Sequence, residues 1–384
     1  MDLPKPVGAA IARLEVCGHE AVAVGGCVRD HLMGRTPTDY DLATSALPEE
    51  VMDAFRNARV VPTGLKHGTV TLISGGMAIE ITTYRVDGAY RDHRRPDGVR
   101  FTGSLTEDLK RRDFTVNAIA YSPGRGLIDP MGGGADIENR LIRAVGDPAA
   151  RFGEDALRIL RALRFAARLG FSIEPATAAA LSAMAASLSF VARERVGAEV
   201  EGLVLGRGAE PMLAAHREVM EAAVPEFSFV DAAGYARALS LTGRAPLDAA
   251  ARLAALFSPL RGGAAAALTS LRLPGRVTSR ALRLIEWLNA PDLDPARALG
   301  ALGASDARAL FQMIGGPGAA IVDGLIASGA CVTIGQLAVD GRDLVQMGLS
   351  GPAVGAALQK LLDEVIDGAP NDRAALLSRI RTLL

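Results

Sequence analysis

The sequence predicts an α+β N-terminal head, built on a small mixed or antiparallel sheet with helices, followed by an all-α neck, body and tail. Three observations carry this. Short β-branched runs broken by glycine turns occur through residues 1 to about 140, strand signals fade beyond Gly146, and from Ala149 onward alanine, leucine and arginine dominate at helical spacing. The divisions expected are a head over 1–140, a neck over 141–205, a body over 206–325 and a tail over 326–384.

The first strand falls at residues 20 to 24, an apolar run with β-branched valines; Gly25 and Gly26 then release the backbone, and Val28 to Met33 has helical character. Strand, glycine turn and helix N-terminus together make an anion site. Without side chains at Gly25 and Gly26 the main chain can approach a triphosphate, the helix end aims N–H groups at it, and Arg29 adds a forked cation. Asp39 and Asp41 stand two apart, so on a strand both carboxylates face one side of the sheet. These hard oxygen ligands suit Mg2+, and two ions are expected in nucleotidyl transfer, one lowering the pKa of an attacking hydroxyl and one neutralising the leaving pyrophosphate. Further strands are expected over Arg59 to Pro62, Gly68 to Ser74 and Ala78 to Tyr84, the last offering Glu80 as a third catalytic carboxylate. Alone, each motif is commonly a plain turn or a solvated cap. Together, in this order and spacing, they point to nucleotidyl transfer.

Between Arg85 and Arg100 the chain is polar, glycine-bearing and without periodicity, which predicts a mobile loop. Arg112 and Asp113 follow, suited to hold phosphate and to accept from a ribose hydroxyl, with Asn117 expected three residues inside the next helix. Arg112 is also placed to orient Asp113. Beyond Gly146 the expected helices are broken at Gly170, Pro175, Pro225, Gly243, Pro259 and Gly262-Gly263. Within them, Asp155, Arg158, Arg161 and Arg164 recur every three residues, which puts neighbours on one helix face with a slow drift around the axis.

Composition bounds the function. The 384 residues are 49% hydrophobic, enough to bury substantial cores in two to four domains. No stretch approaches the roughly 18 apolar residues of a membrane span and Met1-Asp2-Leu3-Pro4 opens no signal peptide, so a cytoplasmic protein without a membrane partner is expected, and no protein partner is inferred. Cys17, Cys27 and Cys331 lie far apart without metal-ligand spacing and read as small hydrophobes. Net charge is only −1, but its distribution is uneven: Arg85, Arg91, Arg94, Arg95, Arg100, Lys110, Arg111 and Arg112 crowd one segment, and Arg151, Arg158, Arg161, Arg164 and Arg168 follow. Aromatic content of 4% argues against an extended base-stacking platform and suits recognition of a folded RNA by shape and backbone.

Gly25-Gly26-x-Val28-Arg29-Asp30, Asp39-x-Asp41-Leu42-Ala43-Thr44, Pro62-Thr63-Gly64-Leu65-Lys66-His67-Gly68-Thr69, Arg111-Arg112-Asp113-Phe114-Thr115-Val116-Asn117-Ala118 and Glu154-Asp155-x-x-Arg158 follow one another in this order. In these motifs the chain resembles the class II tRNA nucleotidyltransferases and bacterial poly(A) polymerases. Arg193-Glu194-Arg195-Val196 matches more loosely, and Gly341-Arg342-Asp343-Leu344 resembles the tail of CCA-adding enzymes, which implies a tRNA-binding tail. The resemblance implies template-independent addition of C, C and A to the 3′ end of tRNA from CTP and ATP, with poly(A) polymerase or specialised CC- or A-adding activity as alternatives. It assigns base reading to Asp155 and Arg158. Cytosine and adenine share an exocyclic amino donor beside a ring-nitrogen acceptor, whereas uracil and guanine show a carbonyl beside an N–H. A carboxylate paired with a guanidinium therefore selects the first two. Arg161 and Arg164 are placed for further nucleotide contacts, and the loop after Arg85 is implied to reshape the pocket between C and A addition.

Overall fold

The computed structural model describes residues 1–87 and 99–381, which form two compact units, Met1–Phe227 and Ser228–Leu384. The division falls within the segment expected to be the body.

In the first unit a seven-stranded sheet runs in the order β3-β4-β5-β2-β1-β8-β9. Its strands are β1 (Ala21–Val24), β2 (Tyr40–Thr44), β3 (Arg59–Gly64), β4 (Thr69–Ser74), β5 (Met77–Thr83), β8 (Ala120–Ser122) and β9 (Gly126–Ile128). Neighbours are antiparallel except β2 and β5, which run parallel. The mixed sheet and four of its strands follow the apolar runs expected from the sequence. The edge pair β8 and β9 was not foreseen, because three-residue strands are too short to show a period. β6 (Arg85–Asp87) and β7 (Val99–Phe101) form a separate antiparallel ribbon at the stem of the expected loop, whose residues 88–98 lie outside the described residues.

Side-chain alternation gives the sheet two different faces. Leu42, Ile79 and Ile81 bury towards α1 (Lys5–Val16) and α3 (Pro48–Ala54). On the other face Val22, Val24 and Ala43 join a core with Tyr84, Leu105, Leu109 and Val145. That face is open farther along, where Asp41 of β2 stands in register with Glu80 of β5. Between β1 and β2 lies α2 (Gly26–Leu32), and α4 (Leu105–Lys110) and α5 (Gly133–Glu138) follow the ribbon. Asn117 sits in a single 3-10 turn, Thr115–Asn117, rather than inside a helix: the chain re-enters the sheet at Ala120 before a second turn can form.

The rest of the first unit is helical, from α6 (Pro148–Glu154) and α7 (Leu157–Leu169) through α8 (Pro175–Met184), α9 (Arg193–Val204), α10 (Ala209–Ala215) and α11 (Arg217–Ala223). One short exception is the parallel pair β10 (Leu141–Ile142) and β11 (Ser172–Ile173). Gly170, in the left-handed region at φ 75°, ends α7 as expected of a glycine C-cap.

The second unit is entirely helical among the described residues: α12 (Ala232–Arg244), α13 (Ala249–Phe257), α14 (Ala264–Ser270), α15 (Gly275–Leu288), α16 (Pro295–Leu302), α17 (Ala304–Ile314), α18 (Gly318–Ser328), α19 (Gly341–Gln346), α20 (Pro352–Ile366) and α21 (Arg373–Arg381). Gly243 does not break α12. It occupies the last turn, where the roughly 1 kcal/mol propensity penalty is offset by burial of Leu241 and Thr242 beside it. Leu344, Leu361, Leu376 and Ile380 build a local core for the last three helices. No helix among the described residues is long and apolar enough to cross a membrane.

Candidate active site

A cavity of about 550 Å3 opens in the first unit over the exposed end of the sheet. Val24, Gly25, Gly26 and Arg29 form one side, Asp41 and Glu80 stand in register on the sheet, and Asp155, at the break between α6 and α7, closes it with Arg158, Arg161, Phe165 and Arg195 from the helices.

The glycine turn is tight for a physical reason. Gly25 has φ 76° and ψ −126°, a left-handed conformation costly to other residues, and its N–H donates to the Ile119 carbonyl at 3.0 Å. A Cβ there would lie 3.2 Å from Nη1 of Arg112. The turn therefore brings bare main chain against a guanidinium. From α2, Arg29 points back into the site, donating Nε to Asp30 at 2.9 Å and Nη1 to Oδ1 of Asn117 at 2.6 Å.

Asp41 lies on β2, but Asp39 does not: the strand starts at Tyr40, and Asp39 precedes it, exposed, accepting from the Thr38 hydroxyl at 3.1 Å. Asp39 is not among the residues lining the cavity. Its charge nevertheless reaches Asp41. Withdrawal of water by surrounding protein raises the Asp41 pKa, the Glu80 carboxylate adds to the rise, Arg112 opposes it and Asp39 contributes again. Carboxylates crowded on an open face gain from a cation. No group of three His, Cys, Asp or Glu side chains among the described residues forms a metal cage. One or two carboxylates left open for water and substrate phosphates are the usual donor set for Mg2+, so these residues fit that ion.

Behind the carboxylates runs a hydrogen-bonded chain. The amide of Asn117 accepts from Arg29 and donates to Oδ1 of Asp113 at 3.2 Å, while Arg161 of α7 donates Nε to Oδ2 of Asp113 at 2.8 Å. Asp113 also accepts from the Phe114 N–H. Arg161, rather than the expected Arg112, thus orients Asp113. Arg112 is instead tied to Oδ2 of the buried Asp108, which holds Arg111 as well. Burial alone would raise the Asp113 pKa; the charge and hydrogen bonds of Arg161 and the bond from Asn117 hold it below the usual carboxylate range. Its stabilising contribution is therefore complete above the unfolded value near 4 and fades as pH falls through the lowered native value. Asp113→Asn is expected to cost about 2–3 kcal/mol at pH 7. In thermal denaturation the gap to wild type should close below about pH 4; a gap independent of pH would exclude this ionised role.

Asp155 is not on the helix either. It occupies the break between α6 and α7 with φ −144° and ψ 104°, its Oδ1 accepting from the Leu157 N–H at 3.1 Å and its Oδ2 from Nη2 of Arg195 at 2.7 Å. Arg158 is bound elsewhere, to Glu154 and to the carbonyls of Arg151 and Arg111. Both side chains line the cavity without pairing with each other. Arg164 does not line it: its guanidinium bonds Glu199 of α9 and stacks 4.3 Å from the Phe165 centroid. Asp108, Glu199, Phe165, Arg195 and the threonines Thr69 and Thr82 are site residues not anticipated. Thr69 and Arg195 fall within motifs that carry the resemblance but had no role assigned, and Asp108 left a local signal in its i,i+3 and i,i+4 spacing to Arg111 and Arg112.

A mixed sheet carrying an open-faced carboxylate pair beside a glycine turn, walled by arginines from the helices that follow, is the architecture of a nucleotidyltransferase. Residues 21–143 match the poly(A) polymerase head domain family, and residues 170–229 match a family described as a probable RNA and SrmB-binding site of polymerase A. The CCA-adding enzyme of Limosilactobacillus fermentum is 39% identical, over 99% of this chain and 97% of its own. That of Geobacillus thermodenitrificans is 53% identical over 196 residues, 51% of this chain and 48% of its own. The crystal structure of the Bacillus stearothermophilus CCA-adding enzyme in complex with CTP is similar with a TM-score of 0.82 at 34% identity, over 100% of this chain and 99% of that one. The Thermotoga maritima CCA-adding enzyme complexed with tRNA shares the fold, with a TM-score of 0.72 at 20% identity over 98% and 95%. The chain belongs to the CCA-adding enzymes, which are tRNA nucleotidyltransferases.

Proposed function

We propose that this protein adds C, C and A to the 3′ end of tRNA from CTP and ATP, releasing pyrophosphate, with its own side chains in place of a template. The single observation that carries the reading is one cavity shared by the Gly25 turn, the Asp41–Glu80 pair and the Asp155 and Arg158 side chains. Arg29, Arg112 and the bare main chain at Gly25 and Gly26 receive the triphosphate. Asp39 and Asp41 would hold Mg2+ together with substrate phosphates, and the ion, when bound, supplies charge neutralisation at the reacting phosphate. Glu80 lies beside Asp41 as a third acceptor for the attacking hydroxyl. Asp113, fixed by Arg161 and Asn117, faces the incoming ribose, while Asp155 accepts from the base amino group and Arg158 donates to the ring nitrogen. Arg161 acts mainly through Asp113, and Arg164 through Glu199. In this reading the work is done in the cytoplasm, where tRNA, CTP and ATP are available together.

The test is incorporation. Purified protein is incubated with tRNA transcripts ending before CCA, after C and after CC, with each labelled nucleotide singly and in pairs, and product length is read on a gel. Two CMP additions followed by one AMP addition are expected. Long A tracts would establish poly(A) synthesis instead, and arrest after CC or activity on CC ends alone would establish a specialised enzyme.

A further inference from the structure

The wall of the cavity beyond Glu80 has no role in the reading above. Thr82 follows Glu80 on the same face of β5, and Thr69 of β4 is its cross-strand partner, the two hydroxyls lying 2.9 Å apart. Both line the cavity, as does Arg85. The pair is held to the sheet from behind. Gly68, at φ 81°, accepts from the Thr83 N–H at 2.8 Å, and a Cβ on it would sit 2.6 Å from Cε1 of Phe101. The Arg85 guanidinium donates to the His67 carbonyl. Whichever threonine donates within the pair, the other keeps an O–H proton with no protein acceptor among the described residues.

We propose that Thr69 and Thr82 seat the terminal ribose of the RNA being extended, hydrogen bonding its 2′-hydroxyl. This deepens the proposed function and rests on it. With the triphosphate on the Gly25 side, the leaving pyrophosphate departs there, and an in-line displacement brings the attacking 3′-oxygen from the opposite side of the Asp41–Glu80 pair. The surface first met on that approach is Thr82 and Thr69. A 2′-hydroxyl both donates and accepts, and it marks RNA against DNA. A hydroxyl pair with one unspent proton and open oxygen lone pairs matches it.

The alternative is a cross-strand threonine pair that only stabilises the sheet. Two tRNA transcripts ending in CC, one with a terminal 2′-deoxycytidine, separate the two. With wild-type protein the deoxy end should lower kcat/KM for the acceptor about three- to tenfold, the worth of one hydrogen bond. Thr69→Val with Thr82→Val preserves shape, and should lose a similar factor on the ribose end, show no further loss on the deoxy end, and leave the KM for ATP unchanged. A deoxy penalty of full size persisting in the variant would overturn the proposal, as would wild-type kcat/KM on the ribose end. Should the double variant fail to fold, Thr82→Val against Thr82→Ser decides it, since only serine keeps the hydroxyl. Failure of wild-type protein to extend the ribose end would instead remove the function itself, and the seat with it.

Discussion

Asp41→Ala is expected to abolish measurable nucleotide incorporation, lowering turnover at least about a thousandfold, the scale of losing several kcal/mol of charge stabilisation at the reacting phosphate, while the fold persists. The sheet does not depend on this carboxylate. It stands on the open face, its strand neighbours Tyr40 and Leu42 bury on the other, and the backbone pairing of β2 with β1 and β5 involves no side chain. The companion change Asp41→Asn adds a sign. Because the native pKa of Asp41 is raised, the folded state binds its proton more tightly than the unfolded chain does. Stability is thus greatest below the unfolded value near 4 and declines as pH rises through the native one. At pH 7 the ionised group is a burden on the metal-free fold, and asparagine removes it. The amide variant should melt above wild type at pH 7 without Mg2+, with the difference vanishing towards pH 4, and should lose any rise in Tm that Mg2+ gives wild type. Wild-type turnover at matched Mg2+, or a lower melting point than wild type, would sink the assignment. Glu80→Ala should reduce turnover less, since it leaves both aspartates in place.

What the sequence revealed of this site, and what it concealed, follows the range of the forces involved. The β1 run, the glycine turn and the strands around Thr71 and Ile79 are local: alternating burial writes their period into consecutive residues, and the structure begins and ends them within a residue or two of expectation. Asp155 illustrates where local reading stops. Its neighbours have helical composition, but its carboxylate is better used accepting from the Leu157 N–H and from Arg195, forty residues on, so the helix breaks there. Helical spacing also misleads over distance. Each step of three residues turns back about 60° from a full circle, so Arg158 faces the cavity, Arg161 reaches Asp113, and Arg164 has rotated onto Glu199. Glu199 and Phe165 owe their positions to packing of α7 against α9, and no pattern within either helix announces that contact.

Asp155→Ala should lower C and A addition together and weaken discrimination against U and G by about ten- to hundredfold, the scale of one charged hydrogen bond of roughly 1.5–3 kcal/mol. Both accepted bases present the same amino donor, so a carboxylate reading that donor cannot be lost for one alone. Alanine also strips the acceptor from the Leu157 N–H and from Arg195, which confounds base reading with local disorder. Asparagine narrows the confusion, because it gives up the Arg195 bond but keeps the acceptor of the Leu157 N–H. Asp155→Asn keeps an oxygen for the Leu157 N–H and puts an amide donor where Oδ2 stood, the polarity that a base carbonyl wants. It should therefore raise UMP relative to CMP incorporation while lowering stability by no more than about 1 kcal/mol, the worth of the partly exposed Arg195 ion pair it gives up. Exchanging the pair, Asp155→Arg with Arg158→Asp, is the harsher experiment, because Arg158 is also tied to Glu154 and to the Arg111 and Arg151 carbonyls, and its replacement releases all three. The measurement is single-turnover incorporation of each nucleotide on a tRNA ending before CCA. An asparagine variant that folds and keeps full preference for C over U would show that Asp155 serves only Arg195 and the start of α7, and base selection would then belong to another residue of the cavity.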